Sequence, residues 1–168
     1  MQIYVDMDGV LADFDAHKVK YFKDSGLDIF KKPYNPKHDE IFWSVIRKEH
    51  PRWFLQLPSM PDMGELWFEL DNHSPIILSA IPGPKKEKVR ETLFQKQHWL
   101  KDRSIYWPAI FCLRSHKQDY ATPNSILIDD DEKNIAEWRK KGGIGILHTS
   151  AVESIKELKK TLAMSGQK

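Results

Sequence analysis

Residues 3–10 read Ile3-Tyr4-Val5-Asp6-Met7-Asp8-Gly9-Val10, an apolar run that leads directly into two carboxylates and a glycine. The apolar residues predict a short strand over residues 2–6, and the carboxylates of Asp6 and Asp8 lie at its end. Like charges this close repel each other, so a shared proton or a cation must hold them together. A hard cation such as Mg²⁺ takes oxygen ligands and suits phosphate chemistry.

A second acidic cluster follows another apolar run. Residues 125–128 are Ser-Ile-Leu-Ile, and they lead into Asp129, Asp130 and Asp131. The carboxyl ends of parallel strands meet at one edge of a sheet, where ligands of such sheets bind. The two clusters therefore predict a single metal site at that edge.

The composition is that of an ordinary soluble globular protein. The 168 residues suffice for one domain with a small insert, and 40% of them are hydrophobic. A net charge of +2 is too small to indicate a membrane or nucleic-acid partner. We expect a cytoplasmic protein, because the chain starts with a strand-like segment and has no apolar run near the roughly 20 residues of a membrane span. The single cysteine, Cys112, lies in an apolar run and is interpreted as a buried structural thiol in a reducing compartment.

Apolar strands alternate with amphipathic helices from residue 61 onward. Strands are predicted over residues 75–79, 109–113, 125–129 and 144–148, and helices over 61–70, 84–100, 134–141 and 151–162. This alternation predicts an α/β fold with a parallel sheet covered on both faces. The last residues, 165–168, are predicted to fray.

Residues 15–60 do not join this alternation well. Helices are predicted over residues 10–22 and 39–50, and the prolines of residues 31–36 indicate a loop between them. We interpret residues 15–60 as a small helical cap inserted over the strand ends. Residues 1–14 and 61–168 then form the core.

Two further strand ends carry polar groups. The strand over residues 75–79 ends in Ser79, which precedes a helix N-terminus. The strand over residues 109–113 leads into a segment that offers Arg114, His116 and Lys117 as cations, of which we select Lys117.

The order Asp-x-Asp-Gly-Val, Ser, Lys, Asp-Asp resembles the haloacid dehalogenase (HAD) superfamily of phosphotransferases over residues 1–14 and 60–150. Within it, residues 6–14 look most like the 5′(3′)-deoxyribonucleotidase family. The resemblance implies a Rossmann-like doubly wound core with a cap after the first strand. It also implies a phosphatase for nucleoside or deoxynucleoside monophosphates, with Mg²⁺ as cofactor.

The resemblance also implies roles for individual residues. Asp6 would be the nucleophile that forms an aspartyl-phosphate, and Asp8 the general acid and base. Mg²⁺ would be bound by Asp6, the backbone carbonyl of Asp8, and Asp129. Asp130 would bind the ion through a water molecule, or would contact these ligands without touching the ion.

The remaining implied contacts are with the substrate. Ser79 and Lys117 would hold the phosphoryl oxygens. Aromatic residues of the cap stack on the base in the nucleotidase family, and Phe14, Trp43 and Trp53 are our candidates. The competing interpretation of these three aromatic residues is ordinary core packing.

Other functions remain open at this point. They are a phosphatase for sugar phosphates or for nucleic-acid 3′-phosphate ends, a phosphate-storing receiver, and a catalytically silent binding protein; Asp8 argues against the receiver. The chain departs from the family at Ala80, where a second hydroxyl is usual, and at Asp131, where a basic residue is frequent. Both departures affect the substrate rather than the reaction.

Overall fold

The apolar segment before Asp6 forms the central strand of a parallel sheet. The computed structural model describes residues 1–30, 35–82 and 86–165. Its strands β1 to β5 span Gln2–Val5, Ile76–Ala80, Ala109–Cys112, Ser125–Asp129 and Ile144–Leu147. The strand order is β3-β2-β1-β4-β5, and every pairing is parallel. This confirms the predicted α/β fold with a Rossmann-like parallel sheet.

The helices of the described residues connect these strands. The α-helices α1 to α6 span Phe14–Phe22, Pro36–Glu49, Met63–Leu70, Lys86–Lys101, Glu132–Lys140 and Ala151–Ser165. Short 3₁₀ helices span Asp71–His73 and Arg114–Tyr120. Helices α1 and α2 lie in the segment for which the sequence predicts a cap, and the division into core and cap stays a prediction.

Side chains of β4 alternate between the two faces of the sheet, and all its residues are buried. Ile126 and Ile128 belong to a large apolar cluster that includes residues of α3 and α6. Leu127 belongs to a second cluster, which contains Ile135 and Trp138 of α5. Helices therefore cover both faces, which explains why the three positions between Ser125 and Asp129 are all apolar.

Helix α1 begins at Phe14, four residues later than the predicted start at Val10. The side chain of Asp13 caps the helix by accepting a hydrogen bond from the Ala16 amide at 2.8 Å. The preceding residues form a tight turn, in which the amides of Leu11 and Ala12 both donate to the Met7 carbonyl at 2.8 Å. Gly9 permits this turn because its φ is +80°.

Helix α2 begins at Pro36, three residues earlier than predicted. Asn35 caps it by accepting from the Lys37 amide at 3.1 Å. Proline suits the first helical position because its missing N–H would have no partner there. The predicted loop over residues 31–36 otherwise lies outside the described residues.

The other helix boundaries that can be compared differ by three residues or fewer. The predicted start of the fourth helix at Pro84 lies outside the described residues, in which α4 runs from Lys86 to Lys101. Helix α6 continues to Ser165, and the rest of the predicted frayed segment, residues 166–168, also lies outside them.

The lengths of the helices and the position of the single cysteine bear on two further expectations. Within the described ranges, every helix is too short or too polar to cross a bilayer. Cys112, at the end of β3, is half-buried, and this burial raises the pKa of its thiol.

Replacing Ile3 by alanine should lower the free energy of unfolding by about 2–5 kcal/mol. Ile3 is buried on the central strand, so its truncation leaves a cavity that neighbouring strands cannot fill. The matched control is Ile41→Ala, because Ile41 is 48% exposed and its truncation should cost less than about 1 kcal/mol. Urea unfolding of both variants measures the difference, and equal losses would contradict the assigned core.

Candidate active site

Asp6 lies directly after β1 and is held by its own backbone turn. Its amide donates to the Ile128 carbonyl of β4 at 2.9 Å, which aligns the ends of the two strands. Its Oδ1 accepts from the Met7 amide at 2.7 Å. Asp6 is buried, so its second carboxylate oxygen needs a partner at the same depth.

Lys117 supplies that partner and joins Asp6 to Asp129. Its Nζ lies 2.6 Å from Asp6 Oδ2 and 2.7 Å from Asp129 Oδ2. The lysine is 2% exposed and belongs to the 3₁₀ helix that follows β3. Burial disfavours its ammonium, but the two carboxylates outweigh burial and hold the pKa of Lys117 above its usual range.

Asp129 is the most enclosed carboxylate of the site. It accepts hydrogen bonds from Asn134 Nδ2 at 3.0 Å on both oxygens and from the Asp131 amide at 2.9 Å. Burial, followed by the negative charge of Asp6, raises the pKa of Asp129 to about 6. The site therefore favours a positive charge beside this carboxylate.

Three carboxylates of the two strand ends converge. Asp6, Asp129 and Asp130 each place a ligand oxygen within 4.8 Å of the others. A Cβ on Gly9 would collide with the Asp130 carboxylate, so glycine lets the turn after β1 approach β4 this closely. Three carboxylate oxygens at this separation are a donor set that fits a hard divalent cation such as Mg²⁺.

Asp8 follows Met7 in the sequence, and its carboxylate pairs with a different lysine from that of Asp6. Its Oδ2 lies 2.5 Å from the Nζ of Lys96, a residue of α4. Its Oδ1 is buried and has no hydrogen-bond partner among the described residues. Burial raises the pKa of Asp8, although the ammonium of Lys96 opposes this rise. This carboxyl group therefore offers one held oxygen and one available oxygen.

Ser79 is fully buried at the end of β2. Its Oγ accepts a hydrogen bond from Lys96 Nζ at 2.8 Å. An ammonium group can only donate, so the hydroxyl hydrogen of Ser79 remains to be donated elsewhere. The structure thus joins Ser79 to Asp8 through Lys96, and it joins Lys117 to Asp6 and Asp129.

The cations that compete with Lys117 in the sequence have other contacts. Arg114 donates to Asn134 Oδ1 at 2.8 Å and to Glu137 at 2.9 Å, on α5. His116 is an exposed residue of the same 3₁₀ helix. In the described residues, Lys117 is thus the cation of this segment that contacts the Asp6 carboxylate.

A cavity of about 410 Å³ lies between α2 and α4, and the described residues that line it do not include the carboxylates of the acidic site. Its aromatic walls include Trp43, Trp53 and Phe54, and its polar lining includes Asp39, Glu40, Arg47, His50 and Glu91. The ring of Phe54 also lies 4.9 Å from Lys96 Nζ, so this ring connects the cavity with the lysine that holds Asp8.

The three candidate aromatic residues differ in position. Trp43 is half-buried, and its ring is stacked on Phe54 with centroids 6.4 Å apart. Trp53 also lines the cavity but is 1% exposed and packs in the core. Phe14 packs behind both tryptophans, with its centroid 6.3 Å from Trp43 and 5.8 Å from Trp53. Trp43 is the one of the three with both a cavity position and partial exposure.

Sequence reasoning missed Lys96. Helical spacing predicts Val89, Leu93 and Leu100 on the buried face of the fourth helix. Val89 and Leu93 are only half-buried, and the buried residues in the described part of this helix are Leu100, Thr92, Gln95, Lys96 and Trp99. The last four of these lie at positions i, i+3, i+4 and i+7, so the helical spacing is present but polar residues occupy it. A hydrophobic pattern cannot reveal such a face.

Comparison with known proteins identifies relatives by structure alone. No protein-family model and no curated protein matches this chain. A hydrolase from Streptococcus pneumoniae TIGR4 is 15% identical, with 94% of this chain and 97% of that chain covered and a TM-score of 0.53. A hydrolase from Pseudomonas syringae is 16% identical, with 94% and 89% covered and a TM-score of 0.50.

A third neighbour is a HAD family hydrolase from Deinococcus radiodurans R1, whose crystal structure has bound phosphate and sodium. It is 12% identical, with 98% of this chain and 96% of that chain covered and a TM-score of 0.51. The chain has the fold of these hydrolases. At such low identity the likeness establishes the fold, and the chemistry must be argued from the site.

Adding Mg²⁺ should stabilise the protein if the three convergent carboxylates bind it. At a free concentration ten times the dissociation constant, the gain is about 1.4 kcal/mol, which raises Tm by about 3–6 °C. Asp129→Asn should abolish this shift, because it removes a charged ligand from the cluster.

Asp131→Asn is the control for this thermal measurement. Asparagine can keep the cap on α5, so the Mg²⁺-induced shift in Tm should persist. A shift that survives Asp129→Asn would place the cation elsewhere.

Proposed function

We propose that this chain is a Mg²⁺-dependent phosphomonoester hydrolase of the HAD superfamily that acts on nucleoside or deoxynucleoside monophosphates. The observation that carries the proposal is the buried contact of Lys117 with both Asp6 and Asp129. A carboxylate can approach a phosphate dianion when cations offset the repulsion, and this arrangement keeps one cation beside the nucleophile. The resemblance of residues 6–14 to the 5′(3′)-deoxyribonucleotidases supports the substrate class.

In the first step, Asp6 attacks phosphorus while the bond from phosphorus to the leaving oxygen breaks. Asp8 gives its proton to that oxygen, so the nucleoside leaves as a neutral alcohol and an aspartyl-phosphate remains. The Oδ1 of Asp8 is the atom that suits this transfer, because Oδ2 is held by Lys96.

In the second step, water attacks the phosphorus of the aspartyl-phosphate. Asp8, now a carboxylate, accepts the proton from that water, and the bond between phosphorus and the Asp6 oxygen breaks. Inorganic phosphate leaves and both side chains return to their starting state. Lys117 and the hydroxyl of Ser79 bind phosphoryl oxygens throughout.

Bound Mg²⁺ would neutralise charge on the phosphate group, and this proposal assigns it to Asp6, the backbone carbonyl of Asp8, Asp129 and Asp130. Asn134 orients Asp129 from behind through its two hydrogen bonds. Such outer contacts fix the direction of a metal-binding carboxylate.

The cavity between α2 and α4 supports a nucleoside as the leaving group, because Phe54 lines it and also lies 4.9 Å from the lysine that pairs with Asp8. Its volume of about 410 Å³ lies in the range of small-molecule pockets, and the half-buried Trp43 that lines it is the aromatic side chain proposed to stack on the base. Its α2 wall belongs to the segment that we take as a cap, and its α4 wall belongs to the core. The carboxylates of Asp39, Glu40 and Glu91 disfavour a polyanionic nucleic-acid end.

Sugar phosphates are a second candidate class. The same three carboxylates are hydrogen-bond acceptors, and hydroxyl-rich sugars offer matching donors.

Phosphate release should be measured with 5′- and 3′-nucleoside monophosphates, sugar phosphates and a 3′-phosphorylated DNA end. We expect turnover of a subset of the nucleotides that is lost with EDTA and in Asp6→Asn, because Asp6 is the proposed nucleophile. Unaided hydrolysis of phosphate monoesters is extremely slow, so removal of the nucleophile should abolish turnover rather than reduce it.

The other outcomes of this panel are separable. Turnover of sugar phosphates alone would keep the chemistry and discard the nucleotidase assignment. Turnover of DNA ends with a steep salt dependence would indicate a nucleic-acid substrate. Absence of release from every substrate, by a folded protein supplied with Mg²⁺, would contradict the proposed function.

Trp43→Leu should raise KM for a nucleoside monophosphate by about 5- to 150-fold, because base stacking on an aromatic ring contributes about 1–3 kcal/mol. A phosphate ester without a ring should show a much smaller change. Phe68→Leu is the control variant, because Phe68 is 80% exposed on α3 and does not line the cavity. If Trp43→Leu raised KM equally for the nucleoside monophosphate and for the ester without a ring, stacking of the base on Trp43 would be excluded.

A further inference from the structure

Lys96 is a fully buried lysine to which the two proposed steps assign neither a proton transfer nor a phosphate contact. It projects from α4, is 0% exposed, and belongs to none of the sequence motifs of the site. Burial of an ammonium group is unfavourable unless all its hydrogens have acceptors. Lys96 meets this requirement with three acceptors: Asp8 Oδ2 at 2.5 Å, Ser79 Oγ at 2.8 Å and the Ala80 carbonyl at 2.9 Å.

We propose that Lys96 is a positioning residue, which fixes the Asp8 carboxylate so that Oδ1 faces the leaving group. This inference rests on the proposed function, in which Asp8 works on that group. Two of the three acceptors belong to the end of β2, so they hold the ammonium at a fixed place relative to the sheet. The remaining hydrogen is then directed at Asp8.

The contacts of Asp8 explain why the orientation of its carboxylate depends on Lys96. Asp6 is fixed on both oxygens, by the Met7 amide and by Lys117. Asp8, in contrast, lies on the turn after β1 with 25% of its side chain exposed. Within the described part of the chain, Lys96 is its hydrogen-bonded side-chain contact, and Oδ1 has no partner. Without Lys96, the carboxylate would be free to rotate about its side-chain torsions.

The Phe54 ring limits the freedom of Lys96 further. It lies 4.9 Å from Nζ, which is a cation–π distance, and it also lines the cavity. The ammonium is therefore enclosed by the strand end, the turn and an aromatic wall. Asp8 thus takes its orientation from α4, outside the strand ends that carry the other acids.

Lys96→Met tests this role, because methionine has a similar shape and no charge. We expect kcat for a nucleoside monophosphate to fall about 100-fold or more, with KM changed by less than about 3-fold. The first step should slow by about 100-fold or more with a nucleoside monophosphate but by less than about 10-fold with 2,4-dinitrophenyl phosphate, whose leaving group departs without a proton. For the second ester, this rate is the pre-steady-state burst of 2,4-dinitrophenolate, which precedes the water attack that both substrates share. Lys101→Met, an exposed position at the end of the same helix, should leave both substrates unaffected.

A double-mutant cycle with Asp8→Asn gives an independent result. If Lys96 acts through Asp8, adding Lys96→Met to Asp8→Asn should cause almost no further loss of kcat. Equal losses in the first-step rate on the two substrates, or additive losses in the cycle, would overturn the positioning role.

The contact itself can be tested without turnover. In a ¹H–¹⁵N spectrum of lysine side chains, the Nζ signal of Lys96 should be protected from exchange and should shift in Asp8→Asn and Ser79→Ala. An unchanged signal in both variants would overturn the proposal, even if Lys96→Met failed to fold. If the wild-type protein hydrolysed neither ester while this signal shifted, the proposed function would fail and the contact would stand.

Discussion

The ammonium of Lys117 between the carboxylates of Asp6 and Asp129 is the interaction on which the rest of the site depends. The hydrogen-bond register of the sheet brings the ends of β1 and β4 together, so two buried acids meet at the same edge. The repulsion between the two carboxylates would be severe without an equally buried positive charge beside them. Lys117 supplies it from the segment after β3, and it thereby connects three strand ends in one charge arrangement.

Two lysines divide the acids of the site into two groups. Lys117 pairs with Asp6 and Asp129, whereas Lys96 pairs with Asp8. The side chain of Met7, between the two aspartates in sequence, is buried in the apolar cluster. Two carboxylates that are only two residues apart therefore have separate counter-ions, which allows them to differ in protonation and in role.

Much of the architecture followed from periodicity and from turn residues. The apolar runs that end in Asp6, Ser79 and Asp129 predicted the strands correctly, because buried parallel strands are apolar at nearly every position. Helix starts were less accurate at α1 and α2. There, the side-chain caps of Asp13 and Asn35 decide the boundary, and a hydrophobic pattern does not register them.

The site was only partly predictable for a related reason. The acids are adjacent to strands, so their convergence could be inferred from topology, and the choice of Lys117 over Arg114 agrees with its contact to Asp6. Lys96 lies on a helix face whose buried members are largely polar, and only the three-dimensional contacts identify it. The cavity also depends on how α2 packs near α4, which no local pattern encodes.

The strand order has a consequence for how the chain folds. β1 lies between β2 and β4, so its residues pair with residues that are more than 70 and more than 100 positions away in sequence. Contacts of such long range form slowly, because the chain loses entropy in closing a large loop before the contact can stabilise the closed state. The carboxylate cluster therefore does not exist until the centre of the sheet has assembled, and its first occupancy by a ligand would mark the completion of folding.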